Sequence, residues 1–177
     1  MLVSVERLIG SPVLSLQTGQ SICTIEKVII DPNNFCIAAF YVRGRGLAFQ
    51  PAVLFAQDIR EYAELGAIVD SIDNIVSPRD MVRLNQVISL RFEVIGLKVF
   101  TEDGTKLGKV SDYVVNTINY DIEQVRVQPG LWASLATTGL IVHRNQIIRL
   151  EPDRLIVAST KIANRRFDSV IAKAGSS

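Results

Sequence analysis

The sequence repeats one pattern of apolar and turn residues. Ile9-Gly10 aligns with Ile95-Gly96, and Gly19 aligns with Gly104 once a residue is removed near Glu102. The apolar positions that follow continue to coincide in order, with insertions and deletions confined to loops. Because such a long ordered agreement is not expected by chance, the chain is predicted to contain two similar units.

Each unit reads as short strands separated by turns. Asp31-Pro32-Asn33-Asn34 and Asp103-Gly104 are built from residues that favour tight turns. Val125-Arg126-Val127-Gln128 alternates apolar and polar residues, which is typical of a half-buried strand. The regular spacing of such segments predicts an all-β chain of two tandem small barrels, at residues 1–76 and 91–160.

A helical pattern separates the two units. Ser77 suits a helix N-cap, and Pro78 suits the first turn. Apolar residues recur at helical spacing at Met81, Leu84, Val87 and Ile88. The pattern predicts a connecting helix from about Pro78 to Ser89, within a linker at 77–90. A second short helix is predicted at 161–172, in a tail at 161–177.

The charge balance argues against a dedicated nucleic-acid binder. The chain has 19 Lys plus Arg and 18 Asp plus Glu, a net charge of +1. Apolar residues are 48% of the chain, charged residues only 21%, and mean hydropathy is +0.26. Binding is therefore expected to use an apolar surface rather than to be steered mainly by charge.

Residues 94–112 resemble the opening of a PRC-barrel domain. Gly104, Leu107-Gly108 and Val110 match the glycine-containing turn of that family. Asp112 matches the first Asp of the following strand, and Asn116 replaces the last one. The resemblance identifies the second unit as PRC-barrel-like.

The first unit matches the family less closely. Gly19 is kept, but Cys23 stands where the second glycine falls. Lys27 replaces the first Asp of the strand, whereas Asp31 keeps the last. The resemblance covers about 1–75 and 91–160.

The resemblance implies a binding function. The resemblance extends to two known settings of this barrel: the cytoplasmic domain of the photosynthetic reaction-centre H subunit and the C-terminal domain of a ribosome-maturation factor. Both use the barrel to bind protein. The resemblance therefore implies a non-enzymatic protein-binding or scaffold module in the assembly of a larger complex. A ribosome-maturation or RNA-associated factor and a photosynthetic-complex assembly protein are the alternatives. The resemblance does not identify the protein partner, and a homodimer stays open.

The glycines of the repeated pattern are interpreted as structural. Gly104 follows Asp103 at a turn that needs positive φ, and a side chain at Gly108 would crowd an adjacent strand or bulge. Neither position can activate a nucleophile or bind a metal. The predicted structural-turn residues are Gly10, Gly19, Gly96, Gly104 and Gly108.

The sequence offers no pattern for catalysis, a metal or a cofactor. His143 is the only histidine, and we expect it at a half-buried strand position equivalent to Phe55. Cys23 and Cys36 have neither CxxC spacing nor a nearby histidine. Pairing Ile30 with Phe35 would place Cys23 near Val42 and away from Cys36, which favours two buried reduced thiols; a redox pair is the alternative.

Three surface features are candidates for partner binding. Arg43-Gly44-Arg45-Gly46 is either a solvated hairpin loop or a contact for RNA phosphates or an acidic partner. Trp132, beside Leu131, is either an interface anchor or folded back over a barrel end. The basic tail from Lys161 is either a solvated helix face or a contact for RNA or anionic lipid.

The chain is predicted to be soluble and cytoplasmic, with no transmembrane segment. Glu6 and Arg7 interrupt the apolar start, and no signal-peptide pattern follows. The longest stretch without Asp, Glu, Lys or Arg, at 127–143, is too short and polar for a membrane helix. Peripheral association with a membrane stays open.

Overall fold

The structure is a computed structural model that describes residues 1–130 and 139–159. Strands dominate it and form two seven-stranded sheets, which confirms the predicted all-β class. The strands of the first half are β1 (Leu2–Ser4), β2 (Pro12–Ser15), β3 (Ser21–Asp31), β4 (Cys36–Arg43), β5 (Ala52–Phe55), β6 (Glu61–Ala63), β7 (Gly66–Val69) and β8 (Ile75–Val76). Those of the second half are β9 (Lys98–Thr101), β10 (Lys106–Asn116), β11 (Ile122–Gln128), β12 (Leu140–His143), β13 (Ile147–Leu150) and β14 (Arg154–Val157). The α-helices are α1 (Val5–Leu8) and α2 (Val82–Ser89), and single 3-10 turns occupy Ala56–Asp58, Ile72–Asn74, Pro78–Asp80 and Arg144–Gln146.

The strand orders of the two sheets correspond. The first runs β6-β7-β2-β3-β4-β5-β8, and the second runs β13-β14-β9-β10-β11-β12, with β1 added on β10. Strands β2 and β7 pair parallel, as do β9 and β14, whereas the other registered pairs are antiparallel. Within the described residues each order is an open path, so these ladders do not close into a ring.

The chain separates into two compact units. The first contains Met1–Glu93 together with Tyr113–Glu123, and the second contains Val94–Asp112 and the described residues from Gln124 onward. The tip of the β10–β11 hairpin therefore belongs to the first unit. No helix of the described residues is long and apolar enough to cross a bilayer.

The hairpin tip is held in the first unit by backbone pairing and by an aromatic contact. Ile37 N donates to Tyr120 O at 2.9 Å, and Ile122 N donates to Phe35 O at 3.2 Å. The Tyr120 ring packs edge-on against Phe40, with centroids 5.6 Å apart. Phe35 and Tyr120 occupy equivalent turn positions, and both have positive φ, at 50° and 59°.

The linker forms a helix that is shorter than predicted. Ser77 Oγ accepts from Arg79 N at 3.3 Å, but it caps only the 3-10 turn at Pro78–Asp80. Asn85 Nδ2 donates to Pro78 O at 2.7 Å and holds that turn. Met81, with φ −109°, interrupts the helical backbone, so the α-helix begins at Val82 rather than at Pro78.

The predicted register of the first hairpin is wrong by two residues. Ile30 pairs with Ile37 rather than with Phe35, after a register shift between Ile29 and Ile30. The positive φ places Phe35 in the turn instead of in the strand. The longer turn leaves β4 beginning at Cys36.

Candidate protein-binding groove

A groove of about 340 Å³ opens between strands β3 and β4 and the chain that follows helix α2. Its sheet side is formed by β3 and by Tyr41, and its other side by the end of α2 and by 91–93. Most of the lining is aliphatic or aromatic. The lining residues are Lys27, Val28, Ile29, Ile30, Tyr41, Val87, Ile88, Arg91, Phe92 and Glu93.

Helix α2 positions the groove by burying only part of its apolar stripe. Leu84 is 4% exposed and packs with Ile29, Ala39 and Val53. Val87 and Ile88 stand further along the same stripe, pack against this cluster and stay half-buried. The helix ends at Ser89, and Arg91 at φ 47° redirects the chain beside the sheet. The predicted stripe therefore supplies both a core contact and one wall of a groove.

Two of the three charged residues in the lining, Lys27 and Glu93, form an ion pair, and Arg91 is exposed without an ion pair to any described residue. Lys27 Nζ lies 2.6 Å from Glu93 Oε1, with the two side chains 59% and 62% exposed. An ion pair this exposed contributes at most about 1 kcal/mol, because water and salt screen it. The groove therefore offers apolar contact more than charge.

Gly108 lies at a close approach between β10 and the end of β11. Its φ is 146°, and a Cβ there would lie 2.1 Å from Gln128 O. A register shift between Lys106 and Gly108 marks a bulge at the same point. Positive φ is also found at the four other predicted turn glycines, Gly10, Gly19, Gly96 and Gly104.

In the first unit, the glycine at the equivalent close approach lies directly after β4, across from Cys23 of β3. Cys23 stands at the position equivalent to Gly108, and Gly44 lies across from it. A Cβ on Gly44 would come within 2.9 Å of Cys23 Cβ and 2.5 Å of Ile22 O. A side chain on either strand is thus matched by glycine on the other, which explains the departure at Cys23.

A model described as the PRC-barrel domain matches residues 88–163. The chain carries a PRC-barrel domain there. The comparison with curated proteins found no match.

A hydrogen-bonded Asp-Gly turn opens the PRC-barrel domain. The Asp103 carboxylate accepts from the hydroxyl of Thr101, from Thr105 N at 3.1 Å and from Ser159 Oγ at 3.2 Å. These bonds, that of Thr101 foremost, lower the pKa of Asp103 from 3.8 to about 2. Gly104 follows at φ 85°, a backbone conformation that residues with a side chain rarely adopt, with open space around it.

His143 of the PRC-barrel domain helps to cap a turn. Its side chain accepts from the backbone of Gln146, and Gln146 Oε1 accepts from His143 N at 2.8 Å. The residue is half-buried at the end of β12. Among the described residues, no three His, Cys, Asp or Glu side chains are grouped as metal ligands.

The two cysteines lie in different surroundings. Cys23 is buried, and burial raises its pKa from 9.0 to about 12. Cys36 is half-buried, not buried as predicted, because it is the first residue of β4 and lies next to the hairpin turn, whose Asn33 and Asn34 are exposed. Cys23 lies opposite Val13 of β2. A thiol with such a raised pKa is a poor nucleophile at neutral pH.

The basic glycine loop of the first unit is partly neutralised. Arg43 forms an ion pair with Glu26, and the Arg43 side chain is 76% exposed. Arg45 is exposed and makes no ion pair with any residue that the structure describes. Leu131, Trp132 and the predicted tail helix at 161–172 lie outside the described residues.

Sequence reasoning did not single out the groove. Its lining combines Tyr41 of β4 with Arg91 and Phe92, which follow α2 and are distant in sequence. The apolar stripe on α2 was the only feature of the sequence that indicated a packing surface there. Sequence reasoning also did not predict α1, a single turn that buries Val5 and Leu8.

Proposed function

We propose that this chain is a non-enzymatic protein-binding module whose groove receives an apolar segment of a partner protein. The observation that carries the proposal is the set of half-buried apolar side chains around the groove. Val87, Ile88 and Phe92 keep part of their surface in contact with solvent beside a well-packed core. Covering them with a partner would remove that apolar surface from water.

The size and chemistry of the groove favour a protein segment as occupant. A volume of about 340 Å³ holds a few side chains rather than a folded domain. The neutralised Lys27–Glu93 pair leaves the rim suited to an apolar anchor with polar flanks. The wall residues Val87, Ile88 and Phe92 supply no nucleophile and no acid–base group.

The first half is proposed to be a second PRC-barrel-like unit. The matching strand orders and the exchange of glycine between Gly108 and Gly44 support this assignment. The family match lies in the second half, whereas the groove lies in the first unit. In this scheme the binding groove is an addition to the repeated architecture, formed where the linker helix covers one sheet.

Site-specific photo-crosslinking tests the proposal. A photoreactive amino acid replaces Ile88 in the groove, or Val82, which lies on the same helix and is 73% exposed. In extract of the native host, we expect one discrete crosslinked protein from position 88 and none from position 82. Equal crosslinking at both positions, or none at position 88, contradicts the proposal. A crosslink to a second copy of this chain would identify the partner as itself.

A further inference from the structure

One face of the second unit carries five exposed Lys and Arg side chains. Exposed and buried residues alternate along β9 and β14, so Lys98 and Arg154 point outward while Val99 and Leu155 are fully buried. The registers place Lys98 beside both Lys109 and Arg154, and Arg149 beside Ile156. We call this surface the basic face; its residues are Lys98, Phe100, Lys106, Lys109, Arg149, Arg154 and Ile156.

The basic face spans four neighbouring strands, β10-β9-β14-β13. Strands are spaced by about 4.8 Å, so its cations are distributed over about 15 Å across the sheet. The corresponding surface of the first sheet has a different character. Its equivalents include Pro12, Ser21, Thr24 and Glu61 at the positions of Lys98, Lys106, Lys109 and Arg149. The positive charge is therefore not required by the fold.

The uneven distribution of charged residues between the two units explains how a nearly neutral chain presents a charged surface. The described residues of the second unit include 7 basic and 5 acidic residues, whereas the first unit has 8 basic and 12 acidic. The near-neutral net charge of the whole chain argues against a nucleic-acid binder, but it does not show how the charged residues are distributed over the surface. Local surface charge, rather than the total, determines the potential that a polyanion meets.

Two carboxylates stand at one end of the basic face. Asp153 lies 3.5 Å from Lys98 Nζ and 3.2 Å from Arg154 Nε, and Glu151 pairs with Arg149 and Arg154. These pairs are exposed, so they are weak and can exchange for phosphate contacts. Lys106 and Lys109 form no ion pair with any residue of the described chain.

An aromatic ring lies among the cations. Phe100 is half-buried, and the Arg154 guanidinium stands 5.7 Å from the centre of its ring. A guanidinium over a ring provides a planar surface on which a base can stack, and stacking beside cations is how single strands are held. Ser111 and Gln128 on the neighbouring strands supply hydrogen-bonding groups for a ribose hydroxyl.

We propose that the basic face binds single-stranded RNA, with its five cations on the phosphates and the Phe100 ring stacking a base. The alternative polyanions fit less well. Phe100 and Ile156 lie half-buried in the sheet surface, so the face offers little apolar side chain to insert into a membrane. An acidic peptide would use the cations but not the stacking surface. The proposal is independent of the groove, which lies in the first unit.

Fluorescence anisotropy with a labelled single-stranded RNA of mixed sequence tests the proposal. Single strands lose affinity with a log–log salt slope of about −0.7 per phosphate contact, so five contacts give about −3.5. The triple variant Lys98→Gln, Lys106→Gln, Lys109→Gln is expected to reduce the slope to about −1.4. At 0.1 M salt the same relation gives an affinity loss of about 100-fold.

A matched variant controls for net charge. Arg7, Arg79 and Arg83 are exposed cations of the first unit, and changing all three to Gln removes the same charge elsewhere. We expect this variant to bind RNA as the unmodified chain does. Phe100→Leu keeps an apolar residue but removes the ring, and it is expected to weaken RNA binding at least about 5-fold.

The proposal is overturned if the two triple variants weaken RNA binding equally, or if no RNA binding is seen at 50 mM salt. It is also overturned if poly-glutamate or phosphatidylserine vesicles compete as well as RNA at equal negative charge. Insensitivity to Phe100→Leu, with the variant folded as judged by circular dichroism, would remove the stacking step. Failure of the groove crosslinking leaves all of these outcomes unaffected.

Discussion

Gly108→Ala should destabilise the second unit far more than Gly104→Ala does. Both glycines have positive φ, so an alanine at either costs about 1–2 kcal/mol of backbone strain. Only at Gly108 does the added Cβ also meet backbone, with Gln128 O at 2.1 Å and Pro129 Cα at 3.0 Å. Relieving this overlap requires β10 and β11 to separate locally, losing one or two hydrogen bonds at about 1 kcal/mol each.

The expected free-energy difference is therefore measurable. Alanine also reduces the conformational entropy of the unfolded chain, which offsets about 0.4–1 kcal/mol of the loss in both variants. These contributions give a net loss of about 1–3.6 kcal/mol for Gly108→Ala and about 0–1.6 kcal/mol for Gly104→Ala, a difference of about 1–2 kcal/mol. Urea denaturation followed by circular dichroism gives both values. Equal losses would refute the argument, because they would show that backbone conformation alone decides the cost.

Three further predictions follow from packing and ionisation. Leu84→Ala, at a residue only 4% exposed, should lower the free energy of unfolding by about 2–5 kcal/mol. Val82→Ala, at a residue 73% exposed, should change it by less than about 0.5 kcal/mol, and urea titration of both variants measures the difference. The folded pKa of Asp103 is lowered to about 2, so its contribution to stability is present above the unfolded pKa near 4 and is lost as pH falls towards 2. Asp103→Asn should therefore flatten the curve of unfolding free energy against pH between these values, and an unchanged curve would contradict the assignment. A thiol reagent at pH 8 should modify half-buried Cys36 faster than buried Cys23, whose pKa is about 12; equal rates in the single variants Cys23→Ser and Cys36→Ser would contradict this.

The sequence was sufficient to predict the strand content because local signals and burial agree. The Asp31–Asn34 turn, the Asp103-Gly104 turn and the alternation over 125–128 all lie where the strands require them. The linker helix was predicted in place but not in length. Its capping signal at Ser77 is real, but one 3-10 turn uses it, and no propensity rule distinguishes that turn from the start of an α-helix.

The features that sequence could not reveal depend on distant pairs. The first hairpin turn extends to Phe35, with Asp31 paired to Cys36, so counting back from a shorter turn wrongly made Phe35 the partner of Ile30. The groove needs Tyr41 and Phe92 to come together, and the basic face needs the parallel pairing of β9 with β14. In each case the residue types were visible, but their juxtaposition depends on sheet topology.

The groove is tested most directly by the affinity of the crosslinked partner for Ile88→Glu and Val82→Glu across a salt series. Both variants place one carboxylate on α2, but only position 88 lines the groove. We predict that Ile88→Glu loses at least about 10-fold in affinity, because a buried carboxylate is costly, while Val82→Glu binds as the unmodified chain. Affinity should change little between low and moderate salt. Equal affinities of the two folded variants, or steep weakening by salt, would contradict an apolar protein-binding groove.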